Sequence, residues 1–371
     1  MCLLEGQDQI LAGTQFGDLY MWNVGNIKHK YEQSIHNLSG QDVPMPSDDW
    51  GNPSDSKNFN SNIDAPTFPK DLELVNCSRA YHKAISEQSQ INHILSDKTK
   101  DLVVISHSQG LILLKMSSLM NGQLDEYKFE SLSKINQCVS ETVYLPSIGK
   151  LIIAEMNGNI SLFNLSTRNT ENTLKVHSKI NCLCKINDTT IAIGASDSNV
   201  YIIQLDQNKS KILIKAKLFH SDQIQNYQIS TITYDQITLA LYTGVNGIGV
   251  FKWLYFDDIQ TLVKIYPVTR GLTINKIILS KENNQLLISQ SNNYILKYDI
   301  AAGFNGYYES TQFESIYDMI VVPIDSLHGQ SFLMISGKER KSNKEDRNTA
   351  AEMINIQSNS LIMKMGGDCQ L

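Results

Sequence analysis

Arginine is nearly missing from this chain: Arg79, Arg168, Arg270, Arg340 and Arg347 are all that 371 residues carry. The balance of 32 basic against 38 acidic residues leaves a charge of −6. Phosphate backbones are held by clustered cations, so direct contact with nucleic acid is not expected. No run of about 18 apolar residues occurs, which argues against membrane insertion through a helix. The opening MCLLEGQDQILAG lacks a basic region, and its apolar run is too short for a signal peptide. The six cysteines (Cys2, Cys77, Cys138, Cys182, Cys184 and Cys369) are spread thinly, without the short spacing of a secreted disulfide framework. Cys182 and Cys184 share one face of an expected strand, but no further ligands stand at metal-binding spacing. These absences together point to a reduced, intracellular protein, cytoplasmic or nuclear, with no metal.

Catalytic signatures are missing too. The sequence holds no GxxxxGK[ST], GxGxxG, HExxH, GxSxG or CxxC. The eight histidines are scattered, and His93 and His107 fall on expected strands as satisfied polar residues. Asp48-Asp49 and Asp257-Asp258 are adjacent on extended chain, so their carboxylates point apart and form no acid–base dyad. Neither a cofactor nor a small-molecule substrate is implied, and the chain is not expected to be an enzyme.

What is present is a repeat. Residues 174–206, LKVHSKINCLCKINDTTIAIGASDSNVYIIQLD, read as three short strands separated by polar turns, and Lys211 to His220 supplies a fourth. The same order recurs along the chain. The third strands close near Trp22, Lys115, Phe163, Gln204, Lys252, Tyr298 and Ile354, roughly every forty to fifty residues after the first. Four strands at that period predict an all-β propeller of seven blades, each of four antiparallel strands, because a lone sheet cannot bury two apolar faces. The first interval is about twice the others, and we assign the excess to an insert rather than an eighth blade. Residues 37–70, dense in Asn, Asp, Ser and Pro, form that insert. Residues 72–85 predict an outer strand or short helix on the way back. The last unit brings its own fourth strand, Ser360 to Met365. The whole chain, 1–371, is thus one propeller with an insert at 37–70 and a polar loop at 337–352.

These residues resemble the WD-repeat β-propeller family. His177 matches the family's His near the start of a unit, and Asp197 matches its turn Asp. In the first unit Gly17-Asp18 matches the turn and Trp22-Asn23 approaches the closing Trp-Asp pair. Gln204 stands where that Trp would be in the unit at 174–206, and His220 opens the next unit. The resemblance implies structural roles for His177, Asp197, Asp18 and Trp22, with a His-to-turn-Asp contact fixing loops between blades. It also implies a non-catalytic scaffold for protein–protein interaction, a subunit of a larger complex.

Two loops carry candidate partner-binding residues. In the insert, Trp50, Phe59 and Phe68 are aromatics within polar, proline-bearing sequence, suited to anchoring on a partner. In the polar loop, Lys338, Arg340, Lys341, Lys344 and Arg347 alternate with acids, so a phosphate patch competes there with an ordinary solvated loop. The alternative to a scaffold is an enzyme propeller with a site at one mouth of the central channel, which requires side chains converging from several blades. A nucleic-acid-binding propeller ranks below both.

Overall fold

The computed structural model describes residues 1–4, 8–15, 17–25, 74–77, 79–81, 89–122, 138–206, 210–220, 227–256, 259–281, 284–323, 331–340, 349–359 and 361–369. Trp50, Phe59 and Phe68 of the insert, and Lys341, Lys344 and Arg347 of the polar loop, lie outside the described residues.

Short β-branched runs divided by polar turns fold into seven sheets. Blade 1 is built on β1 (Cys2–Leu4), β2 (Gln9–Gly13) and β3 (Leu19–Asn23). After the insert come β4 (Leu74–Cys77) and β5 (Arg79–Tyr81). Blade 2 holds β6 (Ile91–Asp97), β7 (Leu102–His107) and β8 (Gly110–Leu114), followed by the helix α1 (Met116–Asn121). Gly122, at φ 75°, ends that helix in the left-handed region that favours glycine.

Blade 3 is β9 (Val139–Leu145), β10 (Lys150–Glu155), β11 (Asn159–Asn164) and β12 (Asn169–Lys175). Blade 4 is β13 (Ile180–Lys185), β14 (Thr190–Ala195), β15 (Asn199–Asp206) and β16 (Lys211–Phe219). Blade 5 is β17 (Ile229–Asp235), β18 (Ala240–Val245), β19 (Gly249–Phe256) and β20 (Ile259–Pro267). Blade 6 is β21 (Ile274–Ser280), β22 (Gln285–Gln290), β23 (Tyr294–Asp299) and β24 (Gly303–Glu309). Blade 7 is β25 (Phe313–Pro323), β26 (Ser331–Glu339), β27 (Thr349–Asn355) and β28 (Leu361–Cys369).

The first strands touch in the cyclic order β1, β6, β9, β13, β17, β21, β25 and back to β1. This is the predicted all-β propeller of seven blades, and among the described residues no eighth sheet falls in the long first interval. Each seam between blades holds its own apolar cluster, and the closing seam is no weaker in kind. There Ile10, Ala12, Trp22 and Val24 of blade 1 pack with Val322, Phe332, Met334 and Met353 of blade 7. Trp22 is therefore structural, with 1% of its surface exposed at the point where the ring meets itself.

The ring closes through residues 74–81, which put one strand on the blade 7 sheet and one on the blade 1 sheet. Blade 7 supplies its own fourth strand, as expected. β4 pairs parallel to β28, with Lys364 opposite Leu74 and Met365 opposite Val75. β5 pairs antiparallel to β3, with Leu19 opposite Tyr81 and Met21 opposite Arg79. The stretch expected to be an outer strand or helix is thus two strands that belong to two different blades. Residues 26–73 after blade 1 and 123–137 after blade 2 lie outside the described residues.

Candidate functional site

The first strand of six blades carries a bulge at one equivalent position. Asn92, Ser140, Asn181, Ser230, Asn275 and Tyr317 are each skipped in pairing with the second strand. A bulge bends its strand and re-aims the next side chain. The re-aimed residues are His93, Glu141, Cys182, Thr231, Lys276 and Asp318. Opposite them stand only small residues: Ser106, Ala154, Gly194, Gly244, Ser289 and Ser336. At Gly194 a Cβ would sit 2.5 Å from Cys182 Sγ, and at Gly244 2.7 Å from Thr231 Cγ2. The space for the re-aimed side chain is made by leaving the facing one out.

Four of these groups form one polar tier along the channel. His93 Nε2 lies 3.4 Å from Glu141 Oε1 across the seam between blades 2 and 3. Lys276 Nζ lies 3.4 Å from Asp318 Oδ1 across the seam between blades 6 and 7. Asp318 Oδ2 also takes the amine of Met1, and Glu141 Oε2 accepts from the Leu183 backbone N–H at 2.6 Å. The side chains of His93, Glu141, Lys276 and Asp318 keep 24%, 20%, 36% and 25% of their surface, so the tier is partly buried rather than sealed.

The tier sets the ionisation of its members. Burial pushes the His93 imidazole down to about 3, helped by the positive charge of Lys276 and the Met1 amine. Burial raises the Glu141 carboxyl, opposed by Lys276 and the Leu183 N–H. Burial also works to raise Asp318, but Lys276 and the Met1 amine overcome it and hold the carboxyl well below the usual range. Asp318 in turn raises Lys276. That Lys276 acts on both Glu141 and His93, three or more blades away, places the groups on a common interior space. Burial pushes the Cys184 thiol up to about 12 and Cys182 well above its ordinary value, which favours the neutral thiol. Among the described residues no group of three or more His, Cys, Asp or Glu could hold a metal ion.

His93 was expected to be a satisfied strand residue, and it is not: its Nδ1 is buried without a hydrogen-bond partner. Glu141, Lys276 and Asp318 drew no attention in the sequence. The signal that could have found them is the repeated pair of an apolar residue followed by Asn or Ser on a first strand (Ile91-Asn92, Val139-Ser140, Ile180-Asn181, Ile229-Ser230, Ile274-Asn275). The next residue is the one re-aimed into the channel.

The structural pair read from the sequence is placed differently. His177 is exposed, and Asp197 takes its hydrogen bonds from Tyr201 at 2.6 Å and from the Asn199 N–H at 3.3 Å, not from His177. A buried His network forms one blade later. His220 Nδ1 donates to the Ser198 carbonyl at 3.1 Å, because a carbonyl can only accept. Its Nε2 then accepts from Thr243 Oγ1 at 2.9 Å, and Thr243 accepts from Trp253 Nε1 at 3.1 Å. Burial lowers His220 to about 4, which keeps it neutral and the chain of donors consistent. Asp18 sits in the β2–β3 turn, where its N–H donates to Thr14 Oγ1 at 3.1 Å.

Of the polar-loop candidates, Lys338 forms an ion pair with Glu314, and Arg340 stands 3.6 Å from Glu309. Both cations are offset by carboxylates of neighbouring strands, which leaves little charge for a phosphate. No helix among the described residues is long and apolar enough to cross a membrane. Neither a protein-family model nor a curated protein matches the chain, so what stands is the geometry: a seven-bladed β-propeller with a mixed-charge tier in its channel.

Proposed function

We propose that the chain is a non-catalytic interaction scaffold of WD-repeat type, a subunit of a larger intracellular complex. The observation that carries this reading is the complete set of apolar seams, the closing one included. A ring closed in this way holds its loops and outer strands at fixed spacing, which is what simultaneous contact with several partners requires. The inference from ring to scaffold is made by analogy of fold. It is tested by capturing the tagged chain from its native cells, beside the same chain lacking 37–70. A stoichiometric set of co-purifying proteins is expected, with one lost on the deletion if Trp50, Phe59 or Phe68 anchors it. A chain that comes out alone overturns the reading.

A second reading, a ligand or active site at the channel mouth, is favoured by the convergence of His93, Glu141, Lys276 and Asp318 from four blades with altered ionisation. The neutral imidazole keeps its Nδ1 buried and without a hydrogen-bond partner, an acceptor that a ligand reaching into the tier would satisfy. Turnover or small-molecule stabilisation lost in His93→Gln, with the fold intact, would replace the scaffold by this reading.

A further inference from the structure

The outer strand of a blade carries an unpaired backbone edge, and a long apolar edge invites another strand. Outer strands β12, β16, β20, β24 and β28 bulge at one equivalent position, and the extra residues are Glu171, Lys215, Val263, Asn305 and Ile362. In blades 3, 4 and 6 the bulge residue is polar and exposed, which blunts pairing. β16 adds exposed Lys211 and Lys217, and β24 is broken by Gly303 and Gly306 at φ 113° and 123°. In blade 7 the bulge residue is Ile362, and that blade receives β4 as a fifth strand. Apolar bulge and added strand go together there.

Blade 5 has the apolar bulge without the added strand. Val263 is 51% exposed, with Leu262 and Ile265 beside it at 38% and 47%. Among the described residues no strand pairs with the outer edge of β20. Its one charged side chain, Lys264, stands directly opposite Lys252 of β19. Like charges in that position repel. Burial and the charge of Lys264 together lower Lys252. The carboxylates that act on the pair are occupied elsewhere: Asp235 by the Ile237 N–H and Thr238 hydroxyl, Asp299 by the Ala301 and Ala302 N–H groups. Among the described residues Lys264 donates to the Ile300 and Ala301 carbonyls, at 3.3 and 3.2 Å, and its ammonium lies 4.9 Å from the centre of the Tyr266 ring.

The register separates the two faces. Leu262 and Ile265 lie opposite Trp253 and Phe251 on one face of blade 5, and the two lysines lie on the other. An added strand matches this edge when it is apolar on one face and acidic on the other. We propose that the β20 edge is a docking site for an extended segment of a partner protein with alternating apolar and acidic residues, joined to blade 5 as β4 is joined to blade 7. The proposal deepens the scaffold reading and rests on it.

The probe is a capped ten-residue peptide of alternating valine and glutamate, with a valine–lysine peptide as control. Backbone hydrogen exchange of the full chain is followed with each. The glutamate peptide is expected to slow exchange in β20 by about tenfold near saturation, and the lysine peptide to leave it unchanged. Val263→Lys gives blade 5 the residue type that blade 4 has at this place. It is expected to keep the wild-type unfolding temperature and to lose the protection. Val263→Asn, after blade 6, replaces it if the lysine variant unfolds. Unchanged exchange in β20, equal slowing in β12 and β16, or protection retained by the folded variant overturns the proposal. The scaffold reading is scored separately by partner capture with the wild-type chain, so the two failures are distinguishable.

Discussion

Asn92 reaches across a seam and donates through Nδ2 to the carbonyl of Val139 at 2.7 Å. The same bond recurs two blades on, from Asn181 to Ile229 at 2.8 Å, and again from Asn275 to Ile316 at 2.6 Å. In each case the donor is the bulged residue of one blade, and the acceptor immediately precedes the bulge of the next. A bulge disrupts the ladder and strands backbone groups. The amide of the preceding blade supplies the missing partner, so the defect in one sheet becomes a tie to its neighbour.

Asn181→Ala should therefore destabilise the whole ring and not one blade. About 1–3 kcal/mol is expected from leaving the Ile229 carbonyl unpaired at a seam. Denaturant unfolding measures it, and a midpoint equal to wild type would show that water replaces the amide without loss.

Thr243→Val keeps the shape of the side chain and removes the oxygen shared by His220 and Trp253. Two polar groups are stranded, and about 1–3 kcal/mol is expected for each. The local reporter is Trp253, whose fluorescence should change with the loss of its indole hydrogen bond. Unfolding that matches wild type would mean the network contributes specificity of packing only.

Stability should fall as the pH drops from neutral. His93 and His220 are held at about 3 and about 4, below the ordinary 6.5. Between those values the unfolded chain takes up protons that the folded chain refuses, so stability is present above 6.5 and is lost on the way down. The slope is at most about 1.4 kcal/mol per pH unit for each histidine. Asp318 has the same sense at lower pH: its contribution is present above the ordinary carboxyl value and is lost below it. Glu141 opposes them, since burial raises it and its protonation favours the folded state. Melting temperature followed from pH 8 to pH 4 checks the sum. The double variant His93→Gln, His220→Gln should flatten the curve, and a wild-type curve already flat from 6.5 to 4.5 would refute the assignment.

Gly158 and Gly149 offer a controlled comparison within one blade. At Gly158, φ +95°, a Cβ would meet the Val176 carbonyl oxygen at 2.1 Å and that of Ser178 at 2.7 Å. Backbone cannot move aside cheaply, so Gly158→Ala should cost about 3 kcal/mol or more. At Gly149, φ +65°, nothing lies within 4 Å, and only the left-handed conformation is penalised, by about 1 kcal/mol. Equal losses in the two variants would mean that conformation, not collision, sets the cost.

The blades were legible in the sequence because the period belongs to local chemistry. Strand runs ending at Phe163, Gln204, Lys252 and Tyr298 repeat whether or not any one motif residue survives. The insert read at 37–70 from a loss of pattern lies outside the described residues. The channel tier was not legible. His93 and Glu141 sit on different blades, and nothing in either strand names the other as neighbour. His177 and Asp197 misled because a match in type and spacing does not specify which blade supplies the partner; His220, Thr243 and Trp253 have the geometry instead. The destinations of β4 and β5 were hidden as well, since pairing with β28 requires knowing where the last strand lies.

The lacing by residues 74–81 gives the molecule a temporal asymmetry. During synthesis from the N-terminus, β5 can join β3 as soon as it emerges. β4, which begins five residues earlier in the chain, has no mate until β28 has been made. One short stretch thus holds a finished blade on one side and an unfilled edge on the other until β28 is made. The tie between blades 1 and 7 is then complete only when β28 reaches an edge set down with the first blade.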